Sequence, residues 1–351
     1  MDKIKGSYDC CTNIAQGSNN KVILIKYYGA SIAFIIIFGI WAQCTAMTIS
    51  DGVTLFEQEN YEKAIIVFKE QLKAKPDNPE ANYYLGRCLL ATNRADIAMN
   101  YLSKADDLGT NIPEYKFWLG VGYWANMEFD KERQSYIDVL KISPNHLQAN
   151  LYLGHSYMDK NMWMAALDQY NVVLAINPDV PEAIYNTALI YKKINNKEAE
   201  IKAWLSYLSR YQYGKTSYYG VERLNILGDF TYREILIGNK KIVMPAIRFD
   251  QNGTMDVNDG RKALQIIGET LVKENTLYLH VVAFVNNSSD EAKSRAMAIK
   301  NSILKNNPKI DQSRIKTSWF DVPEKVETKR GIYSIDESIL FITMQERESS
   351  K

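Results

Sequence analysis

"YYLGRCLL" (83–90), "FWLGVGYW" (117–124) and "LYLGHSYM" (151–158) recur at one interval, and "NTALIYKK" (186–193) extends the series. The small residues Gly52, Gly86, Gly120, Gly154 and Ala188 fall 34 residues apart, and each is followed three positions later by a large one. A fixed period of this length marks an array of like units, none of which can bury its apolar face alone.

Twelve residues beyond each small residue stand Ala64, Ala98, Glu132, Ala166 and Glu200, and four further on Phe68, Leu102, Tyr136, Tyr170 and Trp204. Pro76, Pro144 and Pro178 close three of the units, with Thr110 in the place of another proline. Small residues let two antiparallel helices approach closely, large ones fill the space to the next pair, and proline stops the second helix. The pattern resembles the tetratricopeptide repeat, in five copies over residues 48–212. Glu132 and Glu200 depart from it, because that family has alanine there.

The resemblance implies an all-α superhelix without catalytic residues, offering a concave groove to a protein partner. The first helix of each repeat lines the groove in that family, which here implies Tyr83, Arg87, Phe117, Val121, Trp124, Leu151, His155, Met158, Tyr185 and Leu189. With little Lys or Asn in that set, an apolar helix or strand is the expected guest. The alternative is that several of these side chains only pack between repeats.

At 351 residues, 46% hydrophobic and 24% charged, the chain has material for two domains with real cores. A net charge of +1 without a basic cluster argues against nucleic acid, since phosphate binding gathers several Lys and Arg on one face. Cys10, Cys11, Cys44 and Cys88 show neither staple nor zinc spacing, and His146, His155 and His280 are far apart in sequence. No metal site, cofactor or His-based triad is expected.

Tyr27 to Met47, "YYGASIAFIIIFGIWAQCTAM", is 21 residues without a charge. About 20 such residues cross a bilayer. Lys21 and Lys26 precede the run, whereas Asp51, Glu57 and Glu59 follow it, so the positive-inside rule leaves residues 1–26 in the cytoplasm and exports the rest. The same stretch also reads as a signal peptide cleaved after Cys44-Thr45-Ala46, or as a lipoprotein signal acylated at Cys44. The expected location is the cell envelope: anchored at the inner membrane with periplasmic domains, or periplasmic or lipidated if the segment is processed.

Helical periodicity is lost at "YQYGKTSYYG" (211–220), which places a linker over 213–240. Beyond it, "KKIVMPAIRF" reads as a strand, "DVNDGRKALQIIGETLVKE" as a helix with Val257, Leu264, Ile267 and Leu271 on one face, and "TLYLHVVAFV" as a strand. A helix to about Leu304, a strand "RIKTSWFDV", a loop and a last strand "SILFITMQ" follow. The order β-α-β-α-β-β gives an α/β sandwich with helices over one sheet face. "DQNGTMDVNDG" alternates acids and amides as a calcium loop does, but lacks the closing glutamate, so a turn and a helix start explain it better.

Residues 241–345 resemble the OmpA-like domain, followed by a short tail, 346–351. The features that carry the resemblance are Phe249 and Asp250 after the first strand, "VVAFVN" in place of Val-x-Gly-His-Thr-Asp, and the Arg-Ala of "KSRAMAIKNSIL". That family binds the diaminopimelate of peptidoglycan, which implies that Arg295 grips a ligand carboxylate and that Asn286 stands where an aspartate meets the ammonium. Asparagine cannot neutralise an ammonium, so the implied contact is weak. Glu337 and Ser338 replace two arginines of the family. Ser288 and Glu291 have the spacing of a capping box at the helix start.

The expected protein is a non-catalytic envelope scaffold that holds a protein partner in its array and touches peptidoglycan through Arg295. The alternative is an assembly subunit of a secretion or motility machine, whose OmpA-like domain docks proteins and binds no glycan.

Overall fold

A computed structural model describes residues 47–250, 253–255 and 257–345. The expected cytoplasmic stretch, the apolar run up to residue 46 and the tail 346–351 lie outside the described residues. Among the described residues, no helix is long and apolar enough to cross a membrane.

The array begins with α1 (Ile49–Glu57) and α2 (Tyr61–Ala74) and continues through α3 (Pro79–Ala91), α4 (Ala95–Leu108), α5 (Pro113–Ala125) and α6 (Phe129–Ile142). It ends with α7 (Leu147–Asp159), α8 (Trp163–Ile176), α9 (Pro181–Lys193) and α10 (Lys197–Arg210). Each small residue lies against the large one of its own repeat. A Cβ added at Gly120 would sit 2.6 Å from the Tyr136 ring, and one at Gly154 2.7 Å from Tyr170. The 34-residue spacing therefore records helix-to-helix approach, with Tyr136, Tyr170 and Trp204 fully buried.

Two further echoes of the period hold the turns. Glu59, Asn93, Met127, Asn161 and Asn195, one per repeat, are left-handed at φ 58–61°, where the chain reverses between paired helices. Asparagine tolerates that conformation and supplies three of the five. Between repeats, buried Asn82 and Asn150 donate from Nδ2 to the carbonyls of Pro76 and Pro144 at 3.0 and 2.9 Å. The corresponding turn before α5 has Thr110 in place of proline and is braced by Lys116 on Asp106 at 2.7 Å.

Residues 213–240 are structured: α11 (Lys215–Leu227) and β1 (Tyr232–Ile237) occupy the span expected to be a linker. Val221 and Leu224 are buried with Trp204 and Leu208, so α11 covers the apolar end of the array. Gly220 lets it come close, since a Cβ there would lie 2.8 Å from the Trp204 ring. The same glycine and Gly214 break the apolar periodicity, which hides this helix in the sequence.

The C-terminal half contains β2 (Lys240–Pro245), α12 (Val257–Lys273), β3 (Leu277–Val285), α13 (Ser289–Asn306), β4 (Ile315–Phe320), β5 (Glu324–Thr328), β6 (Gly331–Ile335) and β7 (Glu337–Gln345). The expected elements all occur, but β1 and the hairpin β5–β6 are added to them. The single expected sheet is a three-stranded sheet, β4-β3-β7, with β3 parallel to β4 and antiparallel to β7. β2 pairs with β1 instead of joining it. Ile267 and Leu271 of α12 and Ile299 and Ile303 of α13 bury one core with Leu279, Val281 and Ala283 of β3.

The two halves share a core. Tyr232 of β1 and Val243 of β2 are buried among Trp204, Leu208, Val221 and Leu224. The β5–β6 hairpin grips α11: Tyr333 donates to the Ile226 carbonyl at 3.3 Å, and Lys329 meets Glu222 at 2.6 Å. Arg233 and Glu324 form an ion pair between β1 and β5, both largely shielded from solvent.

Candidate functional site

The expected groove residues divide by burial. Tyr83 and Phe117 are 5% and 4% exposed, so they belong to the packing and cannot receive a guest. Their rings are consumed by neighbours: Tyr83 lies 4.9 Å from Tyr115, and Phe117 lies 5.6 Å from both Tyr136 and Tyr152. Val121, Leu151, His155, Met158, Tyr185 and Leu189 are half-buried along the first helices, and Trp124 is exposed. Burial holds the His155 imidazole below the ordinary histidine value, while Asp159 and Glu182 push the other way.

Arg87 acts as a rivet across three first helices. Its guanidinium lies 4.4 Å from the Phe56 ring and 4.1 Å from Trp118, and it donates to the Tyr83 hydroxyl at 2.9 Å. Stacking on two aromatic faces stabilises a partly desolvated cation. Its Nε is buried without a hydrogen-bond partner among the described residues. Beside it, Glu114 meets His146 at 3.3 Å and accepts from Trp118 Nε1 at 3.1 Å, and these contacts, the His146 one foremost, lower its carboxyl below the usual range.

Apolar surface also lies at the turns between paired helices, outside the expected groove. Ile97, Met127, Phe129, Met162 and Met164 are all exposed there, Met127 at 72%. The sequence signal was available in the residues flanking each turn.

The two departures from alanine have different outcomes. Glu200 is met by Arg223 of α11 through two contacts at 2.9 and 3.2 Å, an ion pair that fastens the end helix. Glu132, 4% exposed, has no such cation on the next repeat among the described residues, and burial pushes its carboxyl up to about 7 against a weaker pull from Arg133. Cys88 is fully buried, with its thiol pushed up to about 12 by burial, which makes it an inert core residue.

In the C-terminal half, α13 presents Arg295 from beneath a short turn. Asn287 at φ 62° and the Ser288 cap, whose Oγ accepts from Glu291 N at 3.4 Å, start the helix. The expected capping box is only half formed, because the Glu291 carboxylate leans to Arg295 at 3.7 Å. Arg295 is 6% exposed, donates from Nη1 to Glu337 Oε2 at 2.7 Å, and lies 5.2 Å over the Phe249 ring. A cavity of about 240 Å³ adjoins it, lined by Ile247, Arg248, Phe249, Glu337, Ser338 and Ile339.

Asn286 is tied down separately. Its amide donates to Asp336 Oδ1 at 3.0 Å, and its backbone N–H donates to the Asp336 carbonyl at 2.8 Å. Sequence reasoning singled out Arg295, Asn286 and Glu337, but not that Glu337 meets Arg295 or that Asp336 meets Asn286, about 40 to 50 residues further along the chain.

Residues 55–116 match the family model described as tetratricopeptide repeat. That match supports a tetratricopeptide-repeat array in the helical half. Two curated relatives are the peroxisomal targeting signal receptors of Kluyveromyces lactis, 29% identical over 116 residues, and of Saccharomyces cerevisiae, 27% identical over 161 residues. These alignments cover 33% and 44% of this chain, and the chain spans only 20% and 25% of the receptors' lengths. Among solved structures, the crystal structure of MamA is 22% identical at a TM-score of 0.44, with 47% of this chain and 95% of that one covered. The Pseudomonas aeruginosa pilF structure is 14% identical at a TM-score of 0.47, with 52% and 83% covered.

Proposed function

We propose that the chain is a non-catalytic scaffold of a bacterial cell envelope. Its array receives a protein segment, and its C-terminal domain, read as a divergent OmpA-like domain, contacts peptidoglycan weakly through Arg295. The observation that carries the wall contact is a nearly buried arginine beside a cavity large enough for a small amino-acid side chain. The apolar, uncharged run at 27–47, with lysines before it and acids after it, supports export. A protein or peptide guest in the array is supported by the repeat family and by the receptor relatives, named for a targeting signal.

The half-buried strip from Val121 through Leu151 and Met158 to Leu189 favours an apolar guest, with Tyr83 and Phe117 now excluded from contact. A sacculus pull-down comparing wild type with Arg295→Ala tests the wall contact. Retention of the wild type alone supports it, and equal retention of both removes Arg295 from the mechanism.

A second reading has an observation of its own. Glu337 already supplies Arg295 with a carboxylate, and Asn286 is engaged by Asp336, which favours a docking surface in a secretion or motility assembly with no glycan bound. The same pull-down decides between them.

A further inference from the structure

Arg295 and its partner differ sharply in burial. The arginine side chain is 7% exposed, whereas the Glu337 side chain that meets it is 55% exposed. Their contact forms part of the wall of the 240 Å³ cavity, which Arg248 also lines. Two buried polar atoms at that cavity, Arg295 Nε and Ser338 Oγ, have no hydrogen-bond partner among the described residues. The charges around Arg295 come from its own helix through Glu291 at 3.7 Å, from β7 through Glu337, and from Arg248 after β2. Asp336 is held by Asn286.

A buried guanidinium needs an anion beside it, because an unpaired charge away from water is strongly unfavourable. The anion need not be Glu337. A long, half-exposed side chain is held weakly by such a pair, since water screens it and its ordering is entropically costly. An incoming carboxylate can take its place on Arg295, whose Nε, like Ser338 Oγ, Glu337 leaves unbonded.

We propose that Glu337 is a displaceable internal carboxylate that covers Arg295 while the cavity is empty and swings into solvent when a carboxylate-bearing ligand enters. This rests on the reading of Arg295 as the wall contact and concerns its regulation. A tethered competitor lowers the affinity of every carboxylate ligand without removing the site. Arg248 lines the same cavity, with its Nη2 donating to Thr231 Oγ1 at 3.2 Å.

The test uses the full chain, with meso-diaminopimelate as soluble probe and purified sacculi as the solid phase. Wild type, Glu337→Gln, Arg295→Ala and the double variant are compared by calorimetry, thermal unfolding and pull-down. Glu337→Gln is expected to melt lower than wild type without probe, to bind the probe about tenfold tighter, and to regain more stability at saturation. The double variant is expected to bind nothing. Equal affinity in wild type and Glu337→Gln, both above Arg295→Ala, overturns the displacement and leaves the wall reading standing.

Tighter probe binding by Glu337→Gln, with wild type no better than Arg295→Ala on sacculi, upholds the displacement and removes wall contact from the native protein. Absence of Arg295-dependent binding in every form overturns both. Should Glu337→Gln fail to fold, Glu337→Asp, one methylene shorter and so a poorer cover for Arg295, is expected to bind the probe more tightly than wild type. An affinity equal to wild type in that case counts against the proposal.

Discussion

Glu132 shows what one residue does when it breaks the pattern of its array. Its carboxyl, raised to about 7 from the ordinary 4.5 chiefly by burial, holds a proton in the folded state that the unfolded chain releases. Stability from this group is therefore complete below about pH 4.5 and is lost as the pH rises through 7, by about 3 kcal/mol. Glu132→Gln should flatten that dependence and raise stability at pH 8, read from urea midpoints at pH 5 and pH 8. Met127 is the opposite case, an exposed side chain in a left-handed turn that Asn occupies in three sister repeats. Met127→Asn is expected to stabilise by about 0.5 to 1 kcal/mol, seen as a higher urea midpoint with an unchanged slope.

At the scale of elements, α11 is held by packing on Trp204 and by the buried pair of Arg223 with Glu200. Removing one partner leaves a buried charge, so Arg223→Ala should cost about 3 to 5 kcal/mol. The double change Glu200→Ala with Arg223→Ala should recover most of that, because alanine is what this chain itself carries at 64, 98 and 166. A double-mutant cycle on thermal unfolding checks it, and additive losses would deny the pairing. This element was illegible in the sequence for a physical reason. An end helix needs apolar residues only where it meets the last repeat, and Gly220 there serves close approach where periodicity calls for an apolar side chain.

For the whole molecule, the consequence is mechanical continuity between the array and the C-terminal half. Tyr232 and Val243 lie in the core that closes the array, and Tyr333 reaches back to the end of α11. Tyr232→Ala, a large truncation at a buried site, should cost about 3 kcal/mol and loosen both sides of the junction together. Hydrogen exchange resolved by segment would show faster exchange in α11 and β1 alike. Protection lost on one side only would mean that the halves are independent.

The sequence by itself determined the repeat, because one small residue and one large residue per 34 positions are imposed by the contact between paired helices. It also determined the order of the main helices and strands after residue 240, since periodicity is a local signal. Arg295 became a functional candidate only through the resemblance of its strand-turn-helix unit to the OmpA-like domain. Only the tertiary structure decided that Tyr83 and Phe117 are core, that 213–240 is packed, and that Glu337 and Asp336 face Arg295 and Asn286. Each of those depends on which distant segment lies opposite, and a side chain's exposure or partner is set by that neighbour rather than by its own stretch of chain.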